Sequence, residues 1–117
     1  MNIRRIGVGP RMSQAVVHGD TVYLAGQVAA EAAGKSVAEQ TREILATIDK
    51  LLAEAGTDKT RLLSTTVYLV DIAAFAEMNA VWLAWVAPGA TPARATVEAR
   101  LAAPDYAVEV VCVAAKT

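Results

Sequence analysis

Arg94 is the residue around which chemistry can be built. It opens the run Pro92-Ala93-Arg94-Ala95-Thr96-Val97-Glu98-Ala99-Arg100, directly after the turn-rich stretch Pro88-Gly89-Ala90-Thr91-Pro92. Arg94, Thr96, Glu98 and Arg100 alternate with Ala95, Val97, Ala99 and Leu101. Successive strand side chains face opposite sides of a sheet, so the run reads as a half-buried strand. A guanidinium fixed at a strand end beside a loop can fork two N–H donors onto a carboxylate or phosphate. Glu98 shares the face of Arg94, and an ion pair between the two is the plain structural alternative.

Other reactive side chains carry less. His18 is the only histidine, so a serine-type triad or a histidine-rich metal site lacks its partners. Cys112 lies in an apolar run with no neighbouring cation to lower its pKa, and reads as a small hydrophobe. Gly7-Val8-Gly9 is not followed by a helix that could aim amides at a phosphate. Trp82 and Trp85, three apart on a helix, share a face and read as packing. Asn79, one position past Met78, reads as a surface amide.

The elements that position these groups follow in order. Ile3 to Val8 suits a short edge strand. Gln14 to His18 and Thr21 to Val28 read as a hairpin turning at Gly19-Asp20, a two-residue turn of type I′ or II′. Along the second strand Val22, Leu24, Gly26 and Val28 share a face. Gly26 inside a strand marks a bulge, a close approach of another group, or simple packing. Ser36 and Glu39 form a capping-box pattern. Ile44, Leu45, Ile48, Leu51, Leu52 and Ala55 then recur at helical spacing, and Gly56 ends that helix, Val37 to Ala55. Arg61 to Val70 reads as a central strand, apolar on both faces. Asp71 can cap a second helix, Ile72 to Val86, with the stripe Phe75, Met78, Trp82, Trp85 and Val86. Two strands close the chain, Ala93 to Leu101 and Tyr106 to Ala115.

The order is β-β-α-β-α-β-β over a single domain spanning 1–117, an α+β arrangement with both helices on one face of a mixed sheet. The other face needs a cover, and a second copy of the chain is the cheapest one. The chain has 117 residues, is 55% hydrophobic and carries a formal net charge of −1. A domain this small buries only about two-thirds of its unfolded surface, so such apolar content also argues for burial between subunits. The charge balance gives nucleic-acid binding no electrostatic support. One cysteine excludes an internal disulfide and fits a reducing compartment. With no apolar run of about 20 residues and no signal-peptide pattern, a soluble cytoplasmic protein is expected, with no membrane partner.

Taken together and in this order, several pieces resemble the Rid family, also called YjgF or RidA-like. They are Ser13-Gln14-Ala15-Val16, Leu24-Ala25-Gly26-Gln27-Val28, Gln40, Leu52-Ala53-Glu54-Ala55-Gly56, the trio Phe75, Asn79 and Trp82, Pro92-Ala93-Arg94 with Val97-Glu98, and Val108-Glu109-Val110. The resemblance implies an α+β fold like that of the trimeric type of chorismate mutase, and a homotrimer with clefts between subunits. It implies hydrolysis of a 2-imino acid, or its enamine tautomer, to a 2-keto acid and ammonia, with no cofactor and no metal. It places the substrate carboxylate on Arg94, further polar contacts on the backbone at Thr96 and near Gly26, and Asn79 at the cleft.

Three positions depart from the pattern. The acid expected to position the attacking water falls at Val111, the tyrosine expected after Gly9-Pro10 is replaced by Arg11-Met12, and a common cysteine is Thr96. Glu109, on the same strand face as Val111, is the candidate to orient the water; a structural salt bridge of Glu109 and a role for Glu98 are the alternatives. Two other functions stay open: a trimer that binds small carboxylates without turnover, and a ribonuclease or translation inhibitor, as reported for some relatives.

Overall fold

The computed structural model describes residues 2–116. Six strands form one sheet: β1 (Ile3–Ile6), β2 (Ala15–His18), β3 (Thr21–Leu24), β4 (Leu62–Leu69), β5 (Ala93–Glu98) and β6 (Val108–Ala115). Their order across the sheet is β1-β2-β3-β6-β4-β5. Two helices, α1 (Val37–Glu54) and α2 (Phe75–Trp85), connect β3 to β4 and β4 to β5. β5 runs parallel to β4, and every other pairing is antiparallel. The sheet is therefore mixed and the fold α+β, with β1 added in front of the expected order. Both helical connections step the same way across the sheet between parallel strands. Right-handed crossovers of that kind put both helices on one face.

The chain measures 42 × 37 × 20 Å along its principal axes. A sheet and one packed layer lie about 10 Å apart, so a 20 Å thickness holds two layers and not three. The core lies between them: Ile44, Leu45, Ile48 and Leu52 of α1 meet Val67, Val110 and Cys112 of the sheet. The second sheet face is open. On it Tyr23 is 49% and Val97 41% exposed, and Val111 and Val113 are half-buried. β4 departs from the expectation of two apolar faces. Thr65, Val67 and Leu69 point to the core, whereas Ser64, Thr66 and Tyr68 make the open face partly polar.

Local signals account for the helix ends. Ser36 Oγ accepts from the Glu39 amide at 3.1 Å, as the capping pattern requires, but the Glu39 carboxylate accepts from the Ser36 hydroxyl rather than from its amide. At the other end Gly56 has φ 86°. Its amide donates to Ala53 O, and that of Thr57 to Leu52 O, the paired bonds of a Schellman stop. Asp71 caps a short 3-10 turn, Ile72–Ala74, from which α2 continues. At the hairpin Gly19 has φ 60° and no described non-glycine residue has positive φ, which selects type II′ over I′.

Gln40 holds the start of α1 to the chain leading into β6. Its side chain is 1% exposed. Nε2 donates to Lys35 O and Asp105 O at 3.0 and 3.1 Å, and Oε1 accepts from the Ala107 amide at 2.9 Å. Gln40→Ala strands those buried groups, and we expect it to cost about 2–4 kcal/mol. A denaturation midpoint unchanged from the unaltered protein would contradict that role.

Candidate functional site

Arg94 lies near the start of β5, a strand at the edge of the sheet. The parallel register pairs Thr65 with Arg94 and Val67 with Thr96, and Thr65 and Val67 are core residues. Arg94 and Thr96 therefore point to the helix side, and Ala95 and Val97 to the open side. There the guanidinium meets α2. Its Cζ lies 5.2 Å from the centroid of the Trp82 ring and 5.8 Å from that of Phe75. Phe75, Asn79 and Trp82 stand four and three residues apart, one stripe along the helix, so half-buried Asn79 sits between the two rings on that stripe.

Glu98 is not the partner of Arg94. Its Oε1 accepts from the Ile72 amide at 3.0 Å, helping to anchor the turn before α2. Burial alone pulls the Arg94 pKa down. A guanidinium nonetheless stays charged at any physiological pH. The result is a partly desolvated cation lying against rings, the setting in which a carboxylate binds more strongly than in open water.

Gly26 and Glu109 form a second cluster on the other face. The register between β3 and β6 shifts by one residue between Tyr23↔Val113 and Gln27↔Val110. This bulge ends β3 at Leu24, short of the expected Val28, and turns Gly26 away from the face of Leu24. Gly26 instead abuts the Glu109 side chain. A Cβ added at Gly26 would lie inside contact distance of a carboxylate oxygen and 2.9 Å from its carbon. Both readings of Gly26 hold, since it sits in a bulge and admits a close neighbour. Gln27 fixes the bulge: its Nε2 donates to Gln14 Oε1 and Ala25 O, each at 3.0 Å, and its backbone pairs with Val110. Glu109 shares its face with Val111, as the alternation predicts.

One sheet thus separates the site residues. Arg94, Thr96 and Asn79 lie on the helix side at the β5 edge; Gly26 and Glu109 lie on the open side. Within one chain they do not meet. Two depressions lie elsewhere, a groove of about 490 Å³ between α1 and α2 and a hollow of about 410 Å³ beside Arg100 and Tyr106. Arg94 lines neither.

Thr96 Oγ1 is fully shielded and without a hydrogen-bond partner among the described residues. We expect Thr96→Val to hold or raise stability by up to about 1 kcal/mol, because it removes an unsatisfied polar atom. A fall in melting temperature would show that the hydroxyl is satisfied in the working protein. Cys112 is buried beside Thr65, with Oγ1 3.4 Å from Sγ. Burial pushes the thiol up to about 11, which suits a structural residue and not a nucleophile. His18 is exposed at the end of β2.

The sequence puts Phe75 and Trp82 on one stripe of the helix, where they read as packing; that both rings face the Arg94 guanidinium depends on the pairing of β5 with β4 and has no local signal. A partly desolvated guanidinium with both rings behind it can take a small acid at the sheet edge.

A mixed sheet backed by two helices, with a ring-flanked arginine at its edge, defines the class. The family described as Endoribonuclease L-PSP matches residues 3–116. A RutC family protein of Haemophilus ducreyi is 46% identical over 113 residues, covering 97% of this chain and 96% of its own. The RutC family protein YoaB of Escherichia coli is 42% identical over 115 residues, covering 98% and 99%. A crystal structure of a YjgF family member from Neisseria meningitidis superposes with a TM-score of 0.96 at 49% identity, covering 100% of this chain and 97% of that one. The chain belongs to this family, the YjgF/Rid or L-PSP family. Its fold is the chorismate-mutase-like one that the resemblance implies.

Proposed function

We propose that the protein hydrolyses 2-imino acids, or their enamine tautomers, to 2-keto acids and ammonia in clefts between the copies of a homotrimer. Arg94 of one copy binds the substrate carboxylate, with Asn79 and the Thr96 backbone beside it. The bulge at Gly26 and the Glu109 carboxylate come from the copy whose open sheet face packs against it. Water adds to the C=N carbon while the nitrogen takes up a proton. The resulting carbinolamine loses ammonia as its hydroxyl proton leaves, and the C=O bond forms. Glu109 accepts a proton from the attacking water and returns it to the leaving nitrogen. The site has little else to do than hold the acid and one water in line.

The observation that carries this reading is a half-buried Arg94 lying against Phe75 and Trp82 while its strand neighbour Glu98 is bonded elsewhere. The open sheet face supports the second copy. A net charge of −1 and a single, exposed histidine favour a small acid over a polyanion such as RNA. The test is to generate 2-iminopropanoate with a dehydratase and follow pyruvate and ammonia with and without the protein. The reading requires faster release than in buffer. Equal rates, with pyruvate still bound, would reduce the protein to a carboxylate binder.

A further inference from the structure

We propose that Trp82 and Phe75 are positioning residues for Arg94: their ring faces hold the guanidinium where an acid would otherwise hold it, and leave its N–H fork free for a ligand carboxylate. This rests on the carboxylate-binding reading above. Where an arginine is taken out of water its usual partner is an acid, but an incoming carboxylate must then displace that acid. A ring face attracts the cation through its quadrupole without occupying the in-plane donors. Glu98, the acid two residues along the same face, is turned instead to the Ile72 amide.

The rings are themselves braced. Trp82 packs against Trp85 with centroids 5.4 Å apart at 50°. The Trp85 indole N–H donates to Asp49 Oδ2 at 3.0 Å. Lys59 Nζ lies 5.1 Å from the Trp85 ring centroid and donates to Trp85 O at 2.5 Å. A chain of contacts thus runs from α1 and the turn before β4, through two indoles, to the guanidinium. Trp85 is held at both ends, so Trp82 cannot turn away from Arg94 without breaking that packing.

The test separates a ring from mere volume. Pyruvate affinity is measured by calorimetry, beside the melting temperature, for Trp82→Phe, Trp82→Leu and Phe75→Leu. Both Trp82 variants lose packing and melt lower. Trp82→Phe keeps pyruvate affinity within about threefold, whereas Trp82→Leu weakens it about tenfold. Phe75 is 44% exposed, so Phe75→Leu folds normally and weakens binding about threefold at an unchanged melting temperature. Should the Trp82 variants fail to fold, Phe75→Leu alone decides. Pyruvate bound equally well by both leucine variants overturns this proposal and leaves the carboxylate site standing, as does Trp82→Phe binding as weakly as Trp82→Leu. An unaltered protein that binds no pyruvate overturns both.

Discussion

Replacing Arg94 by alanine is expected to lower kcat/KM for a 2-imino acid about a hundredfold or more, with the fold intact. Truncating one partner of a partly buried, hydrogen-bonded charge pair costs about 3 kcal/mol or more, and every 1.4 kcal/mol is a factor of ten. The loss falls mainly in KM. The carboxylate is unchanged during hydrolysis, so Arg94 grips ground state and transition state alike. Arg94→Lys keeps the charge but loses the planar fork and recovers only part of the loss. Arg94 stands on an edge strand with its guanidinium beside Phe75 and Trp82. Its removal therefore forfeits about 1 kcal/mol of cation–π contact and little packing. Steady-state kinetics with a thermal midpoint check this. Unchanged KM and kcat would move the site away from the β5 edge.

Glu109→Gln is expected to do the opposite: kcat falls about 10²–10⁴-fold while KM and pyruvate binding hold, the mark of a lost general base. Glutamine keeps the shape against Gly26 and removes only the basicity. Gly26→Ala should follow it in direction, because a Cβ there drives the Glu109 carboxylate out of its place. Full turnover by Glu109→Gln would mean that another group orients the water. Arg94 and Glu109 are thus expected to separate cleanly into a binding and a rate effect.

Much of the fold was legible in the sequence because it rests on local rules. α1 carries its period, its Ser36 cap and its Gly56 stop within its own residues, and its span differs from the expectation only at Ala55, which is the C-cap. The hairpin at Gly19-Asp20 is equally self-contained. The bulge at Ala25-Gly26 is different, since its register depends on β6, more than 80 residues later. For that reason the face of Gly26 was misread. On β5 the alternation tells that Arg94, Thr96 and Glu98 share a face. Which face the helices cover is set by pairing with β4. The alternative reading, an ion pair between Arg94 and Glu98, fails for a tertiary reason: Glu98 accepts from the Ile72 amide before α2.

The open sheet face bears on both the binding and the rate effect. It leaves Tyr23 and Val97 uncovered, and it carries Glu109 on the side away from Arg94. A single chain therefore holds a cation and a carboxylate with a sheet between them. Docking a neighbour's open face over the β5 edge would satisfy both needs at once, burying apolar surface and closing the site.

The most direct test mixes two impaired proteins and assays them at substrate well below KM. Arg94→Ala and Glu109→Gln are unfolded together, refolded at equal ratio, and the mixed trimers isolated by differing tags. If each cleft takes its arginine from one copy and its glutamate from the next, every mixed trimer restores one of its three clefts, so activity returns in about a third of the sites. Mixed trimers of confirmed composition that stay as inactive as either parent would contradict a site shared between copies.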